Sequence, residues 1–356
     1  MNTVNCESVS LFTLTPGGQS VADRLRQVLP MECYCAEKYV QEGYTPFHGS
    51  LKLTVAEAFL RDSAIIFIGA CGIAVRMIAP LLKDKLTDPA VLVIDEKGQY
   101  VISLLSGHIG GANELARYVS GVIGAQPVIS TATDVNQKCS FDLLAKQISA
   151  ESENFREATK TVNQLLVSGH PVGIHIDPWL EKTIGFDIHH FDIRGLTVVA
   201  EDEVEHHQLS ALIDVSMQKE RPRWPVPSFQ LIPKRLVAGI GCRKGVSSQQ
   251  LLTLFEQQIQ ELNIHPLALV VVGSIDIKRD EPAILHLTKH FQVPFKLFSA
   301  AALSTCSDQF PQSEFVQKTV GVGCVSQPAA WLLSHGCLLG ETVRQQGITL
   351  TYGVIK

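Results

Sequence analysis

The chain has 356 residues, of which 46% are hydrophobic and 18% charged, so it can form two or three domains with large apolar cores. A formal net charge of -5, without any lysine- or arginine-rich block, gives no reason to expect a nucleic-acid partner.

The cysteines and the N-terminal residues indicate a reducing, intracellular compartment. The nine cysteines are scattered and none forms a CxxC pair, which is typical of free thiols rather than of a disulfide framework. Residues 1–10 lack a basic segment followed by an apolar one, so we expect no signal peptide. The longest apolar stretch, residues 64–75, is interrupted by glycines and is too short to span a bilayer. We therefore expect a soluble, cytoplasmic protein without a membrane partner.

The first third of the chain alternates apolar, β-branched runs with segments of helical periodicity. Strands are predicted over residues 9–14, 64–68, 90–94 and 100–105, and helices over 20–29, 73–82 and 112–119. Continuous apolar strands separated by helices are typical of a parallel sheet that is covered on both faces. We predict an α/β domain over residues 1–136.

A more highly charged middle region follows over residues 137–228. It contains one predicted helix, over 154–167, and one predicted strand, over 171–176. The proline-rich residues 221–227 cannot continue a helix or a central strand, and we predict that they form a linker.

A second glycine-punctuated block occupies residues 229–356. Strands are predicted over 235–240, 267–272 and 294–297, and helices over 248–262 and from 328 onward. The predicted fold class is therefore α/β, with two domains of mainly parallel sheets that flank a smaller α/β middle region.

The densest group of glycines and polar residues is SGHIGGANE, directly after the strand at 100–105. Glycines let the backbone approach a ligand, and the start of the next helix directs N–H groups toward it. A histidine with a pKa of about 6.5 can act as a general acid or base near neutral pH, so His108 is the candidate catalytic residue. Alternatively, His108 caps a turn and the glycines serve packing. The turn supplies the further candidates Ser106, Gly107, Gly110, Gly111, Asn113 and Glu114.

A similar turn follows the strand at 64–68. Gly69 and Gly72 precede a predicted helix, and Arg76 lies one helical turn on, where a guanidinium can bind a carboxylate. A surface arginine with a local partner is the alternative. Cys71 stands at the helix start, where a thiol pKa falls, but a buried small residue explains it better.

Thr133 and Asp134 follow a strand-like segment at 127–129. Asp134 can orient a histidine or act as a base, although an ordinary helix N-cap would explain it equally well.

Cationic turns occur in the last block as well. The sequence GIGCRKG contains Arg243 and Lys244, and Lys278 lies in GSIDIKRDE. The motif GIGCRKG resembles a dinucleotide fingerprint, but its spacing is GxGxxxG and no acidic partner follows. The histidine pairs at 189–190 and 206–207 are adjacent in sequence and point apart on regular elements, so we expect no protein-bound metal.

Taken together, the turns resemble the CbiG family of anaerobic cobalamin biosynthesis over almost the whole chain and in the same order. The matching motifs are IGACGIAVR (68–76), VIDEKGQYVISLLSGHIGGANELA (93–116), TATDVN (131–136), VAGIGCRKG (237–245), GSIDIKRDE (273–281) and KTVGVGCVSQPAA (318–330). The resemblance implies a C-terminal domain similar to the CobE protein. Cys71 and Cys324 stand where the family motifs carry small hydroxyl residues, so neither thiol is expected to be a required nucleophile.

The resemblance implies an enzyme, a cobalt-precorrin-5A hydrolase that opens the ring-A δ-lactone and releases acetaldehyde to give cobalt-precorrin-5B. We hypothesise that His108 deprotonates the attacking water and is oriented by Asp134 or Glu114. The backbone N–H groups of Gly110 and Gly111 would stabilise the oxyanion, an effect worth about 3 kcal/mol per donor. Loss of the two-carbon arm would be a retro-aldol-like step in which the conjugated imines of the macrocycle accept the electrons.

This chemistry needs no added cofactor, because cobalt arrives within the substrate. The substrate carboxylates would be bound by the cationic residues Arg76, Arg243, Lys244 and Lys278. A non-catalytic corrinoid carrier is the main alternative, and a nucleotide-dependent oxidoreductase is the second. The sequence leaves open a homo-oligomer and transient contacts with neighbouring pathway enzymes.

Overall fold

The structure, a computed structural model, describes residues 8–356. The chain divides into two compact units, Met1–Lys138 and Cys139–Lys356. No helix within the described residues is long and apolar enough to cross a membrane.

The first unit is built on one seven-stranded sheet with the strand order β3-β2-β1-β4-β5-β6-β7. Its strands are β1 (Val9–Thr13), β2 (Glu32–Cys35), β3 (Thr45–Pro46), β4 (Ala64–Ile68), β5 (Ala90–Ile94), β6 (Tyr100–Leu105) and β7 (Gln126–Val128). Its helices are α1 (Pro16–Arg26), α2 (Leu51–Arg61), α3 (Cys71–Ile78), α4 (Ala112–Ile123) and α5 (Ala132–Val135).

Helices cover both faces of this sheet, as the continuous apolar strands predict. All residues of β1, β4 and β5 are buried. Successive side chains of a strand point to opposite faces, so Leu11 packs into the cluster that contains α1 and α4. Its neighbour Phe12 packs into the cluster that contains α2 and α3. The α/β prediction for this region is confirmed.

The direction of β6 differs from the prediction, because β6 pairs antiparallel with β5. The two strands are joined by a tight turn in which Gly98 has φ +66° and its N–H donates to the Asp95 carbonyl (2.9 Å). Asp95 Oδ2 also accepts from the N–H groups of Gln99 (2.8 Å) and Tyr100 (2.6 Å). A connection this short can join only antiparallel strands, since a parallel pair needs a long crossover. The C-terminal end of β6 therefore lies at the opposite edge of the sheet from the C-terminal ends of β4 and β5.

Strands β6 and β7 are parallel to each other and are connected by α4. Their carboxyl ends therefore meet at one edge of the sheet, together with the start of α4. This βαβ unit brings the segments after Leu105 and after Val128 together.

The second unit contains two five-stranded sheets with the orders β10-β9-β11-β12-β8 and β15-β14-β13-β17-β16. Their strands are β8 (Ala150–Glu151), β9 (Val172–Ile176), β10 (Leu196–Val198), β11 (Ala211–Val215), β12 (Ser228–Pro233), β13 (Leu236–Cys242), β14 (Leu269–Ile275), β15 (Phe295–Phe298), β16 (Leu338–Gln345) and β17 (Ile348–Val354). The helices are α6 (Phe141–Gln147), α7 (Phe155–Val167), α8 (Pro178–Ile184), α9 (Ser248–Glu261), α10 (Pro282–Phe291), α11 (Ala300–Ser307), α12 (Glu314–Val320) and α13 (Ser326–Leu333). One hydrophobic cluster includes residues of both sheets. The division of the chain into three domains stays a prediction.

The proline-rich residues 221–227 connect β11 to β12, which are parallel neighbours in one sheet. The Leu212 N–H donates to the Pro227 carbonyl (2.9 Å), and Trp224 Nε1 donates to Asp214 (3.3 Å). The prediction of a linker is therefore wrong at this position, because the segment is tied to a strand of its own sheet.

The first two glycines of GIGCRKG lie inside β13 rather than in a turn. A Cβ atom on Gly239 would stand 1.9 Å from the Ser326 carbonyl oxygen, so glycine is needed for the close approach of α13. A dinucleotide fingerprint places its glycines in the turn between strand and helix. The packing role of Gly239 removes the basis for the oxidoreductase alternative.

Candidate functional site

The turn that carries His108 is fixed by its own backbone. Ser106 has φ +56° and Gly111 has φ +82°, and the Ser106 carbonyl accepts from the Ala112 N–H (3.1 Å). Ser106 Oγ donates to the Asp88 carbonyl (2.9 Å), which ties the turn to the segment before β5. The chain thus reverses tightly after β6 and enters α4 with His108 at the carboxyl edge of the strand.

Two of the glycines in this turn are required by packing within the chain. A Cβ atom on Gly107 would lie 2.7 Å from Asn113 Oδ1, and one on Gly110 would lie 2.3 Å from the Ser106 Cβ. The packing alternative considered for the glycines therefore applies to both positions.

One of the two proposed oxyanion donors is engaged elsewhere. The Gly111 N–H donates to the His108 carbonyl (2.9 Å) and closes the turn, so the prediction for Gly111 is wrong. Within residues 8–356, the Gly110 N–H makes no hydrogen bond. Gly110 is therefore one backbone donor that this turn can offer to a ligand.

The imidazole of His108 contacts two side chains of the segment after β7. His108 Nε2 lies 3.1 Å from Asp134 Oδ2 and 2.9 Å from Thr133 Oγ1. The side chains of His108 and Asp134 are 15% and 16% exposed, so the pair is shielded yet open to one side. The structure thus brings together three residues that were predicted from two separate motifs.

The carboxylate of Asp134 is held from α4 as well. Asn113 Nδ2 donates to Asp134 Oδ2 (2.8 Å), and the guanidinium of Arg117 donates to Asp134 Oδ1. Asn113 and Arg117 are four residues apart, so they lie on the same face of the helix. This spacing is a signal from which Arg117 could have been found in the sequence.

Asn113 is buried, and its amide is oriented by neighbouring hydroxyl groups. Ser103 Oγ donates to Asn113 Oδ1 (2.7 Å), and Asn113 Nδ2 also donates to Thr131 Oγ1 (3.0 Å). All of these amide contacts are within the protein. Ser103 escaped prediction because its contact depends on the pairing of β6 beneath α4, which no local pattern reveals.

The contacts of His108 Nε2 restrict the chemistry that the site can perform. A carboxylate only accepts hydrogen bonds, so its partner Nε2 is assigned the ring proton and the lone pair of His108 lies on Nδ1. In a nucleophilic triad the hydroxyl and the carboxylate contact different ring nitrogens. Thr133 and Asp134 share Nε2, which favours His108 as a base for water over Thr133 as a nucleophile.

Glu114 is the predicted residue that the structure leaves apart from this cluster. Its side chain is exposed in the first turn of α4 and forms no hydrogen bond or ion pair with any residue from 8 to 356. Its negative carboxylate interacts favourably with the positive, N-terminal end of the helix dipole. Of the two carboxylates proposed to orient His108, Asp134 is the one in contact.

The predicted residues at 69–76 lie at the other edge of the sheet. Gly69 and Gly72 follow β4, whose chain direction is opposite to that of β6. Arg76 is exposed and forms no ion pair with the described residues. This turn and the His108 turn therefore lie at opposite edges of the sheet, because the tight turn after β5 reverses the chain.

The cationic residues of the last block differ in their surroundings. Arg243 and Lys244 are exposed and without an ion pair in the described part of the chain. Lys278 Nζ contacts Glu281 Oε2 (2.7 Å), and these two side chains are only 13% and 6% exposed. Glu281 Oε1 also accepts from the Gly245 N–H (3.1 Å), so the pair joins two turns.

Cys71 and Cys324, the two cysteines that replace hydroxyl residues of the family motifs, lack support as nucleophiles. Cys71 is the first residue of α3 and is half-buried. Burial raises the pKa of the Cys324 thiol, which donates to Gln327 Oε1 (3.3 Å) and is therefore protonated at neutral pH. No group of three or more histidine, cysteine or acidic residues between 8 and 356 is arranged to hold a metal ion.

Two family models match the chain. The cobalamin synthesis G N-terminal model matches residues 53–134, which include every residue of the His108 cluster. The cobalamin synthesis G C-terminus model matches residues 236–352.

Full-length relatives extend the match. The chain is 52% identical to the cobalt-precorrin-5A hydrolase of Salmonella typhimurium over 354 residues, 99% of either chain. It is 31% identical to the cobalt-precorrin-5A hydrolase of Priestia megaterium, over 97% of this chain and 94% of the relative. Its C-terminal part is similar to the CobE protein of a Sinorhizobium species, with 32% identity over 96 residues, or 27% of this chain and 62% of the relative. The chain belongs to the cobalamin synthesis G family.

Proposed function

We propose that this chain is a cobalt-precorrin-5A hydrolase that opens the ring-A δ-lactone and releases the two-carbon unit as acetaldehyde, leaving cobalt-precorrin-5B. The observation that carries the proposal is the 52% identity to the Salmonella hydrolase over 99% of both chains. The arrangement around His108 supports it, because lactone hydrolysis needs an oriented base and a donor for the oxyanion.

In the first step, water attacks the lactone carbonyl while His108 Nδ1 takes its proton. Asp134 Oδ2 holds the other ring nitrogen at 3.1 Å and stabilises the imidazolium that forms. The Gly110 N–H is positioned to donate to the oxyanion of the tetrahedral intermediate. When the ring C–O bond breaks, the imidazolium returns its proton to the departing alkoxide. The products are a carboxylic acid and a secondary alcohol.

In the second step, the same base removes the proton of the freed alcohol. The carbinol C–C bond to the macrocycle breaks, the carbinol becomes the carbonyl of acetaldehyde, and the electron pair enters the conjugated imines of the macrocycle. A ring nitrogen then gains the proton. The balance requires no redox partner, so we propose that the protein uses no cofactor and that cobalt is part of the substrate.

Exposed cations support the binding of a substrate with many carboxylates. Arg76, Arg243 and Lys244 are exposed and have no acidic partner within residues 8–356, and Arg76 lies at the edge of the sheet opposite to the His108 turn. Lys278 already has Glu281, so we give it a smaller part in substrate binding. We assign Asn113 to the orientation of Asp134 rather than to the substrate, because its amide contacts protein groups.

We also propose a cytoplasmic location. The eight cysteines within the described residues form no disulfide with one another, which is typical of a reducing compartment. The corrinoid substrate is the partner that we propose for the chain, and nucleic acid is not.

The test is turnover of cobalt-precorrin-5A by the purified protein under anaerobic conditions in water enriched in ¹⁸O. We expect acetaldehyde in equal amount to the macrocyclic product, and one ¹⁸O atom in the new ring-A carboxylate. A carrier, the alternative function, would bind the substrate and release no acetaldehyde. Release of acetaldehyde without ¹⁸O in the carboxylate would rule out attack of water at the carbonyl.

A further inference from the structure

Arg117 lies beside the His108–Asp134 pair and contacts its carboxylate. Its guanidinium donates to Asp134 Oδ1, while Oδ2 of the same carboxylate accepts from Asn113 and lies 3.1 Å from His108 Nε2. Both oxygens of Asp134 are thus occupied by donors on α4 or by the histidine. The carboxylate plane is fixed by partners on its two sides.

This arrangement decides which oxygen faces the histidine. A carboxylate held only through Oδ2 can rotate about its Cβ–Cγ bond and exchange its oxygens. A guanidinium on Oδ1 opposes that rotation, because it offers several donors in a planar fork and stays charged. The base then keeps its orientation through both proton transfers, and errors of about 1 Å in such positions can cost on the order of a hundredfold in rate.

We propose that Arg117 is a positioning residue for lactone opening: it holds Asp134 Oδ1 so that Oδ2 keeps the proton of His108 on Nε2. This inference rests on the proposed function and deepens it. Arg117 acts through Asp134 and touches neither the water nor the lactone.

A second role for Arg117 must be separated by the test. Its side chain is 53% exposed, so its remaining N–H groups are accessible to a substrate carboxylate. A residue that binds the substrate equally in the ground and transition states changes KM, whereas a residue that positions the base changes kcat. The two kinetic constants therefore distinguish the two roles.

The experiment is a double-mutant cycle on acetaldehyde release, with Arg117→Met, Asp134→Asn and the combined variant. We expect Arg117→Met to lower kcat about tenfold with KM unchanged, and Arg117→Lys to restore part of the loss, because lysine keeps the charge but not the fork. In the Asp134→Asn background, Arg117→Met should cause no further loss, since its effect passes through that carboxylate. Arg223→Met is the matched control, because Arg223 is exposed and lies outside both family-model matches.

Each other outcome contradicts the proposal. A raised KM with unchanged kcat would make Arg117 a substrate-binding residue. An equal loss in both backgrounds would make its effect structural, and urea unfolding of each variant would measure that effect separately. If Arg117→Met does not fold, Arg117→Lys carries the same cycle. Failure of the proposed function is distinct, because the wild-type protein would then release no acetaldehyde.

Discussion

The chain contains two clusters in which a histidine and an arginine share one aspartate. The first surrounds Asp134 in the N-terminal unit, where His108 lies 3.1 Å from one carboxylate oxygen and Arg117 occupies the other. The second surrounds Asp214 in the other unit. The two have the same chemical composition, and their difference lies in where the fold puts them.

The histidine and the aspartate of the second cluster lie on neighbouring strands of the sheet β10-β9-β11-β12-β8 rather than on turns. His175 on β9 contacts Asp214 on β11 through Nδ1 (3.0 Å), and Arg221 donates to the other oxygen (2.7 Å). The indole of Trp224 packs on the imidazole, with ring centroids 4.8 Å apart. Burial alone would raise the pKa of Asp214, but hydrogen bonds from His175 and Arg221 outweigh it and lower the pKa.

The two clusters differ in how exposed their side chains are. The side chains of His175 and Asp214 are 6% and 2% exposed, against 15% and 16% for His108 and Asp134. The ring of Trp224 packs on the imidazole of the former, whereas the latter lies on turns at the end of two strands. The segment between the two matched family regions, residues 135–235, also contains the whole second cluster. We therefore propose that the first cluster performs catalysis and that the second contributes stability.

The largest effect should come from His108→Ala. We expect acetaldehyde release to fall about 10²–10⁴-fold, the usual contribution of a general base. Stability should change little, because the side chain lies on a surface turn. Acetaldehyde release and urea unfolding measure the two effects, and His207→Ala, at an exposed histidine, is the control. Full activity in His108→Ala would overturn the assignment of catalysis to this cluster.

Asp214→Ala should have the opposite profile. It leaves the guanidinium of Arg221 without its buried carboxylate, and breaking a buried pair in this way costs about 3–5 kcal/mol of unfolding free energy. The fraction that remains folded should release acetaldehyde at the normal rate. Urea unfolding measures the loss, with the exposed Asp202→Ala as the control. A stable but inactive Asp214→Ala protein would move the second cluster into the chemistry.

Local sequence patterns were sufficient to predict two residues of the first cluster. The glycines after β6 and the polar run after β7 pointed to His108 and Asp134, because turns at strand ends are visible in a single stretch of sequence. The antiparallel direction of β6 was not predicted, since the reversal after β5 depends on one short turn around Asp95.

No local pattern in the sequence predicted the second cluster. His175 stands inside an apolar strand, and its partner Asp214 is 39 residues away on a strand that becomes its neighbour only through the order of the sheet. The proline-rich segment was interpreted from composition alone. Its attachment to Asp214 by Arg221 and Trp224 is a tertiary contact that composition cannot reveal.

Acid should weaken the second cluster selectively. The folded pKa of Asp214 lies below its usual value of 3.8, so its ionised form contributes stability above that value, and the contribution is lost as the pH falls through the lower folded pKa. We expect the stability advantage of the wild type over Asp214→Asn to be constant at neutral pH and to shrink below about pH 4. Urea unfolding at a series of pH values measures it. An advantage that grows on acidification would contradict the lowered pKa.

The smallest effect should come from Trp224→Phe, which keeps an aromatic ring over His175 and removes one donor to Asp214. The lost bond is long, at 3.3 Å, and Asp214 retains His175 and Arg221, so we expect a loss of about 1 kcal/mol or less. Trp224→Ala also removes the ring and should cost more, by an amount that measures the packing on the imidazole. Neither variant should alter acetaldehyde release at a temperature where both are folded. If Trp224→Phe instead lowered turnover and left the unfolding free energy unchanged, the indole over His175 would have a part in catalysis. The exposure of the side chains would then no longer distinguish the two clusters.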